Sequence, residues 1–386
     1  MKALGLYLHI PFCIQKCRYC DFLSYTGSDK DLQLDYIKVL LEEIKNINID
    51  NYSIDSIFIG GGTPTILEAD IIARILTLVY KTFSVQTDVE ITIESNPKTL
   101  TKRKLTAYKE IGINRLSIGA QSLNNDLLSF LGRIHNSEDF LKNFKEARNC
   151  GFENINVDLM FAIPGQTIVN WIDTLEQVLE LNPEHISFYS LQIEEGTPFF
   201  QMFQEGSLQP INDATDREMY RRAVLLLQKH DYLHYEISNA AKPGRQCRHN
   251  LKYWSMQEYL GLGLGAHSYL DGLRFSNETD LKKYLNRRGT FLLEPKPYES
   301  PYVTWKHMNT KQDEISEYIF TGMRKIEGIS LNDFKQRFGV SLTDIYETQI
   351  LKHIYNGLIE LDQTEQRIRF TKRGIDLANT VLVDFV

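Results

Sequence analysis

The first half of the chain repeats one pattern: a short apolar run, a polar turn, and a longer stretch with apolar residues every three or four positions. Short apolar runs bounded by turns predict buried strands, and the periodic stretches predict amphipathic helices. The predicted strands are Leu4–Ile10, Ser56–Ile59, Val89–Ile93, Arg115–Ile118, Asn154–Leu159 and His185–Leu191. The predicted helices are Leu32–Asn46, Ala69–Thr82, Lys102–Ile111, Ser137–Asn149, Ile168–Leu181 and Asp213–Lys229.

Six strand–helix units in succession predict a parallel sheet with right-handed crossovers. A closed barrel of this type needs eight strands, and only six are predicted here. We therefore expect an α/β fold over residues 1–235, in the form of an open partial (β/α)6 TIM-like barrel.

The pattern changes after residue 235. HYEISN (His234–Asn239) predicts one more strand, and residues 236–300 are expected to form a connecting segment with the motifs HNLKYW and GLGLGAHS. From residue 301 the chain is predicted to be helical, with two short strands, Gly357–Asp362 and Arg367–Phe370, before a last helix. Residues 301–386 should therefore form a small C-terminal winged-helix-like α+β domain.

Charge and hydropathy exclude some kinds of partner. The net charge is −7 and the C-terminal domain has no dense basic stripe, so no nucleic-acid partner is expected. His9 and Pro11 interrupt the apolar N-terminal run, and no segment has the roughly 20 apolar residues of a spanning helix. We expect a cytoplasmic protein.

Polar residues and glycines occur where the predicted strands end. They are GGGTPT (Gly60–Thr65), Glu94, Gln121, Asp158, and Tyr189 with Ser190. In parallel βα folds the ligand site is built where the carboxyl ends of the strands meet. One polar residue at a strand end is equally well explained by exposure to solvent, but five in succession predict a ligand site.

Three of the five cysteines form the motif CIQKCRYC, with Cys13, Cys17 and Cys20 in CxxxCxxC spacing. Thiolates are the usual ligands of iron–sulfur clusters, and three of them leave one iron of a 4Fe–4S cubane open. A structural zinc site is the alternative, but it needs a fourth ligand that this loop lacks. Cys150 and Cys247 lie far away in the sequence and are predicted to be buried free thiols.

The segment YLHIPFCIQKCRYCDF resembles the signature of radical S-adenosylmethionine (SAM) enzymes. Further motifs resemble the oxygen-independent coproporphyrinogen III oxidase-like family, and most closely its HemW branch, whose members are regarded as haem chaperones. Those motifs are GGGTPT, ESNP, NRLSIGAQS, GRIH, NVDLMFAIPGQT, HYEISN, HNLKYW and GLGLGAHS. The resemblance covers nearly the whole chain.

The resemblance implies a 4Fe–4S cluster on Cys13, Cys17 and Cys20, with SAM chelating the open iron and accepting one electron that cleaves its sulfonium. It also implies an electron donor such as flavodoxin or ferredoxin. Positions that match SAM-binding residues of the oxidases are Tyr7, Tyr19, Gly61, Gly62, Thr63, Glu94, Gln121, Arg133 and Asp158.

One departure bears on the activity. The oxidases have a motif similar to CxxxCxFCxC, with an additional cysteine two positions after the third. This chain has Phe22 at that position. With HNLKYW, this predicts a haem-binding protein that passes haem to acceptors such as membrane-associated respiratory proteins. His249 would then be a haem ligand, with Tyr253 and Trp254 stacking on the porphyrin, or else simply a hydrogen-bonded turn histidine.

Two other functions stay open at this point. One is the decarboxylation of coproporphyrinogen III, and the other is a non-catalytic iron–sulfur module. The sequence alone leaves open whether the chain is an enzyme.

Overall fold

The computed structural model describes residues 1–27, 29–287, 289 and 296–385. Its strands are β1 (Lys2–Ile10), β2 (Phe12–Cys13), β3 (Tyr25–Thr26), β4 (Tyr52–Gly61), β5 (Val85–Ser95), β6 (Arg115–Gln121), β7 (Ile155–Phe161), β8 (His185–Ser190), β9 (Leu233–Glu236), β10 (Asn239–Ala241), β11 (Tyr259–Leu262), β12 (His267–Leu270), β13 (Leu273–Asn277), β14 (Val303–Met308), β15 (Ile329–Ser330), β16 (Ile359–Asp362) and β17 (Arg367–Phe370).

Helices lie between these strands. They are α1 (Lys30–Asn46), α2 (Ala69–Thr82), α3 (Lys102–Glu110), α4 (Asn125–Leu131), α5 (Ser137–Asn149), α6 (Ile168–Glu180), α7 (Pro198–Gln204), α8 (Asp213–Lys229), α9 (Arg248–Trp254), α10 (Leu281–Asn286), α11 (Lys311–Gly322), α12 (Leu331–Phe338), α13 (Leu342–Ile345), α14 (Glu347–Tyr355), α15 (Lys372–Asp376) and α16 (Ala378–Leu382). Short 3-10 turns occur at Pro64–Ile66, Pro297–Glu299 and Val383–Phe385.

Six neighbouring parallel strands, β1-β4-β5-β6-β7-β8, form the centre of the large sheet. The predicted strands and helices of the first half each overlap one of the observed elements. The sequence-based expectation of an open α/β barrel is therefore confirmed. Within the described residues the sheet is larger than expected, with twelve strands in the order β14-β13-β12-β11-β1-β4-β5-β6-β7-β8-β10-β9.

The two faces of β1 explain why this strand lies at the centre. Leu4, Leu6, Leu8 and Ile10 alternate along it and are fully buried in the main hydrophobic cluster. Burial of such a side chain contributes roughly 1.5–3 kcal/mol, so the outer face of β1 is firmly held against its covering helices. Tyr7, on the other face, points into the barrel, where the polar residues collect.

The segment after the barrel adds antiparallel strands to both edges of the sheet. HYEISN is not one strand, as predicted, because β9 ends at Glu236 and the Ile237 amide bonds to the Arg324 carbonyl at 3.1 Å instead of continuing the ladder. β10 then pairs antiparallel with β8. GLGLGAHS forms the end of β11, a turn and the start of β12, and β11 pairs in parallel with β1.

A second correction concerns the predicted helical start of the C-terminal region. Val303–Met308 is a strand, β14, that pairs with β13. Its aromatic and β-branched residues favour an extended chain once a partner strand is available. Residues 288 and 290–295 of the predicted connecting segment, and residue 386 of the predicted C-terminal domain, lie outside the described residues.

The C-terminal region has a hydrophobic cluster of its own, which includes Ile319, Phe334 and Phe370. The predicted two-stranded wing is confirmed by the antiparallel pairing of β16 with β17, and β15 adds a third strand that was not predicted. In the part of the chain that the structure describes, no helix has the length and apolar character needed to cross a membrane.

Helix α9, formed by the HNLKYW motif, closes the barrel at the amino-terminal ends of the strands. The Arg248 and His249 amides donate to the Glu90 carboxylate at 3.2 and 3.1 Å, which places a negative charge at the start of the helix. Lys252 forms an ion pair with Asp55 of β4 at 2.8 Å, and both side chains are largely buried. The motif therefore has a clear role in the fold.

We predict that Lys252→Met destabilises the protein by about 3–5 kcal/mol, because it leaves Asp55 as a buried charge without its partner. Urea unfolding provides the measurement. Lys38→Met is the matched control: the Lys38–Asp35 pair has the same 2.8 Å separation but is half exposed, so about 1 kcal/mol or less is expected. Equal losses in the two variants would contradict a role for α9 in closing the barrel.

Candidate functional site

The carboxyl ends of the parallel strands surround a cavity of about 410 Å³, which we call the upper cavity. The cysteine loop covers one side of it. Most of the residues predicted for the site line this cavity, namely Cys13, Cys17, Tyr19, Cys20, Gly61, Gly62, Thr63, Glu94, Gln121, Arg133 and Asp158. Parallel strands that end at one edge bring together residues that are far apart in the sequence.

Backbone hydrogen bonds hold the cysteine loop in place. Cys13 ends β2, which pairs with β3, and the Cys20 amide donates to the Cys17 carbonyl at 3.2 Å in a tight turn. The Arg18 amide donates to Leu131 of α4 at 3.0 Å. The loop is thus attached to the barrel on both sides.

All five cysteines are free thiols. Those of the loop are half-buried at the upper cavity. Cys247 is buried elsewhere, as predicted, whereas Cys150 is only half-buried, so the prediction of a buried thiol was wrong there. Burial raises the pKa of Cys20 to about 11 and also raises the pKa of Cys13.

In a 4Fe–4S cubane each thiolate binds a different iron, so the three thiols of the loop do not have to converge on one point. Within the described ranges, no group of three His, Cys, Asp or Glu side chains is arranged to hold one metal ion. The preference for a cluster over zinc rests on the sequence of the loop, which has three cysteines and no fourth.

The glycine turn after β4 lies directly against the cysteine loop. The Gly62 amide donates to Ile10 at 2.9 Å, and the Thr63 amide donates to Phe12 at 2.8 Å. A Cβ atom on Gly62 would lie only 2.6 Å from the Phe12 carbonyl oxygen, so a side chain there would push the two segments apart. This contact places the Thr63 hydroxyl 3.6 Å from the Cys13 sulfur.

Glu94 and Asp158 are the two carboxyl groups that the strand ends bring to the upper cavity. Glu94 accepts a hydrogen bond from the Gly61 amide at 3.1 Å. Burial, and then the nearby charge of Asp158, raise the pKa of Glu94 to about 8. Asp158 accepts from Ser117 at 3.0 Å and from Asn156 at 2.7 Å. At neutral pH, Glu94 is thus mostly protonated until a ligand favours its charged form.

A bulge in the pairing of β6 with β7 lies between Gly119 and Gln121. Gln121 has a φ of 66°, in the left-handed region that residues other than glycine seldom occupy. Such backbone strain often accompanies a ligand site, and Gln121 lines the upper cavity.

Arg133 connects the cysteine loop to the strand ends. Its guanidinium donates to the Cys17 sulfur at 3.3 Å and to the Gly119 carbonyl at 2.7 Å. It also donates to the side-chain oxygen of Asn96. Asn96 was not predicted as a site residue, although its position two residues after Glu94 in the ESNP motif was a usable signal.

Tyr7 lies below the upper cavity and does not line it. Its hydroxyl is 3.0 Å from His9 Nδ1, and its ring faces a second cavity of about 220 Å³, which we call the lower cavity. Glu94, Asp158 and Tyr189 line both cavities.

His249 lies at the floor of the lower cavity and is only 1% exposed. Its Nδ1 is 3.0 Å from the Ser56 hydroxyl, and its Nε2 is 2.8 Å from the Tyr253 hydroxyl. Burial, with the nearby charges of Lys252 and Arg115, lowers the pKa of His249 to about 3. Both ring nitrogens of the neutral imidazole are therefore occupied.

The two aromatic residues of HNLKYW are also in contact with protein groups. The Tyr253 ring packs edge-on against Tyr259, with ring centres 4.6 Å apart. The Trp254 ring lies 4.6 Å from the Arg324 guanidinium. Phe22, in contrast, lines the upper cavity and is 63% exposed. Of these three aromatic residues, Phe22 alone lines the upper cavity, and it belongs to the cysteine loop and not to α9.

Comparison with known families supports both regions of the fold. Residues 7–178 match the Radical SAM superfamily, and residues 309–377 match the HemN C-terminal domain. In structure, the chain is similar to the coproporphyrinogen III oxidase HemN from Escherichia coli, with a TM-score of 0.84 and 22% identity. That likeness covers 100% of this chain and 90% of the oxidase, and at this identity it shows the fold alone.

Curated relatives are more similar in sequence. The heme chaperone HemW of Bacillus subtilis is 36% identical over 383 residues, which cover 98% of each protein. The heme chaperone HemW of Lactococcus lactis is 34% identical, with 100% of this chain and 98% of the relative covered. On this full-length similarity, the chain belongs to the HemW family of the radical SAM superfamily.

Proposed function

We propose that this protein holds a 4Fe–4S cluster and SAM in the upper cavity and that it binds haem and delivers it to acceptor proteins. Membership of the radical SAM superfamily implies the first two cofactors. The observation that carries the proposal is that three free thiols, the glycine turn and Glu94 line one cavity at the strand ends. The haem part rests on the relatives, which are named heme chaperones.

Cys13, Cys17 and Cys20 would hold the cluster. They are free, half-buried and joined by a loop whose backbone is fixed at both ends. When bound, the cluster and SAM together supply one-electron chemistry at the open iron. The thiols must lose their protons to become ligands. Because burial raises the pKa of Cys13 and of Cys20, cluster assembly should depend on pH.

The rest of the upper cavity suits SAM. Its volume of about 410 Å³ is in the range of small-molecule sites. The backbone of Gly61 and Gly62 is open to the ligand, and Glu94 suits the ribose hydroxyls. Residues that would complete the site are Tyr19, Thr63, Gln121, Arg133 and Asp158, with Tyr7 reaching it only from the lower cavity.

The position of Phe22 supports a haem carrier over a coproporphyrinogen III decarboxylase. The corresponding motif of the decarboxylases has an additional cysteine at the position of Phe22, which is exposed in this chain. His249 stays a proposed haem ligand. In the structure both of its nitrogens are occupied, so ligation would require it to give up its bond to Ser56 or to Tyr253.

The proposal also includes partners and location. Free thiols that bind a cluster need a reducing compartment, which supports the cytoplasm. An electron donor such as flavodoxin or ferredoxin would reduce the cluster. The haem acceptors would include membrane-associated respiratory proteins.

We predict that Cys13→Ala, Cys17→Ala or Cys20→Ala abolishes the visible absorbance and the paramagnetic signal of the anaerobically reconstituted cluster. Each thiolate binds a separate iron, so the loss of one leaves the cubane open at two corners. Cys150→Ala, which removes a half-buried thiol outside the loop, should retain the full cluster. A complete cluster in the triple Cys→Ala variant would contradict the assignment.

We predict that SAM binds more tightly as the pH rises from 6.5 to 8. Below its pKa of about 8, Glu94 is protonated, and binding that favours the carboxylate must release a proton. The affinity should rise by at most about tenfold per pH unit and level off above pH 8. Calorimetry of the reconstituted protein at several pH values measures this.

The comparison with Glu94→Gln isolates the contribution of this group, since SAM and the thiols also titrate. This variant should bind SAM about tenfold or more weakly at pH 8 and show a flatter pH profile. Glu110→Gln, on the exposed end of α3, should leave both the affinity and the slope unchanged. Identical profiles for the wild type and Glu94→Gln would remove Glu94 from the site.

We predict that the protein binds haem and does not convert coproporphyrinogen III to protoporphyrinogen IX. If His249 is a ligand, His249→Ala should shift the haem absorption bands or lower the occupancy, while His230→Ala, at an exposed position, should not. Ser56→Ala removes only the hydrogen-bond partner of His249 Nδ1 and keeps the imidazole. It therefore separates the loss of a haem ligand from the loss of local packing. SAM-dependent release of carbon dioxide from coproporphyrinogen III would overturn the haem-carrier function.

A further inference from the structure

A chain of hydrogen bonds connects two of the three loop thiols across the rim of the upper cavity. Arg133 donates to the Cys17 sulfur at 3.3 Å and, from its other terminal nitrogen, to the Asn96 side-chain oxygen. The Asn96 amide nitrogen donates to the Thr63 hydroxyl oxygen at 2.7 Å, and that hydroxyl is 3.6 Å from the Cys13 sulfur. We call Arg133, Asn96 and Thr63 the asparagine bridge.

The direction of these bonds follows from the chemistry of the groups. A guanidinium only donates, so the Asn96 oxygen must face Arg133 and its NH2 group must face Thr63. The Thr63 oxygen accepts from Asn96, which leaves its single O–H free to donate to Cys13. The bonds therefore run in one direction, from Arg133 through Asn96 to Thr63, and the Thr63 hydroxyl ends the series at the Cys13 sulfur. Successive bonds of this kind polarise one another.

The surroundings fix Asn96 in this orientation. Its backbone carbonyl accepts from the Thr99 amide at 3.1 Å and from the Thr99 hydroxyl at 2.6 Å. The Arg133 nitrogen that donates to Asn96 also donates to the Gly119 carbonyl, at 2.7 Å. A Cβ atom on Gly119 would lie 2.8 Å from the Asn96 side-chain oxygen, so the bridge requires a glycine at this position.

We propose that Asn96 is a positioning residue that directs hydrogen bonds to Cys13 and Cys17 and thereby raises the reduction potential of the bound cluster. Donors to the sulfur ligands stabilise the additional negative charge of the reduced cluster, and such bonds are a known determinant of its potential. The inference rests on the proposed cluster at Cys13, Cys17 and Cys20.

The third thiol does not depend on the bridge. In the part of the chain that the structure describes, no hydrogen bond joins Cys20 to Arg133, Asn96 or Thr63. Removal of the bridge therefore leaves the surroundings of this thiol unchanged. The cluster is expected to assemble in such variants, and the effect is expected in its potential.

The experiment measures the midpoint potential of the reconstituted cluster in the full chain, by a redox titration followed by paramagnetic resonance. Asn96→Leu keeps the size of the side chain but removes both of its polar atoms. We expect it to disfavour cluster reduction by about tenfold, which corresponds to about 59 mV for one electron. Thr63→Val, which removes the hydroxyl alone, should lower the midpoint potential by less than Asn96→Leu does.

Two variants serve as matched controls. Thr63→Ser retains the hydroxyl and should retain the potential. Ser95→Ala removes a side-chain hydrogen bond of 2.8 Å to Ser117, next to Asn96 in the chain but outside the bridge, and should also leave the potential unchanged. Asn96→Asp tests the direction of the bonds in the bridge. Its carboxylate would accept hydrogen bonds from both Arg133 and Thr63, and the Thr63 hydroxyl would then no longer donate to Cys13.

Because Asn96 acts on Cys13 through Thr63, the shifts of Asn96→Leu and Thr63→Val should not add in the double variant. An unchanged potential in Asn96→Leu, with normal iron and sulfide content, would overturn the proposal. If Asn96→Leu fails to assemble a cluster, the contrast between Thr63→Val and Thr63→Ser decides, and equal potentials overturn it. A full cluster in the triple Cys→Ala variant would instead contradict the proposed function.

Discussion

The structure depends on the requirement that six parallel strands bury one face against helices and end at a common edge. The alternation along β1 shows this requirement most simply, since Leu4, Leu6 and Leu8 are buried outward while Tyr7 points inward. Polar groups that cannot be placed on the covered face are forced into the barrel interior or to the strand ends. The cysteine loop needs only to fold over that edge to complete a site.

A polar interior is stable only when its groups are paired. Lys252 is paired with Asp55, His249 with Ser56 and Tyr253, and Arg133 with Cys17, Asn96 and Gly119. These contacts join the closed end of the barrel to its strands and the cysteine loop to the strand ends. Burial and the nearby charge of Lys252 keep His249 neutral. The hydrogen bonds of Arg133 fix its orientation.

Sequence reasoning predicts the strand–helix units and the cysteine loop because their signals are local, in the spacing of apolar residues and of thiols. It does not predict β14, whose extended form needs pairing with β13. It also cannot tell that Tyr7 and His249 face the lower cavity, because that depends on strand register and on how α9 packs. Asn96 was missed although it stands in the ESNP motif, because its bonds form only when the fold brings Thr63, after β4, and Arg133, after α4, next to it.

The two cavities share Glu94, Asp158 and Tyr189 as a common wall. A ligand in one cavity that recruits the charge or the proton of Glu94 changes what the other cavity offers to its own occupant. Two ligands that each changed the charge of Glu94, one in each cavity, would therefore be thermodynamically linked, and the linkage would act equally in both directions. Through this one carboxyl group, the lower cavity would be coupled to the cavity beside the cysteines without any movement of the barrel.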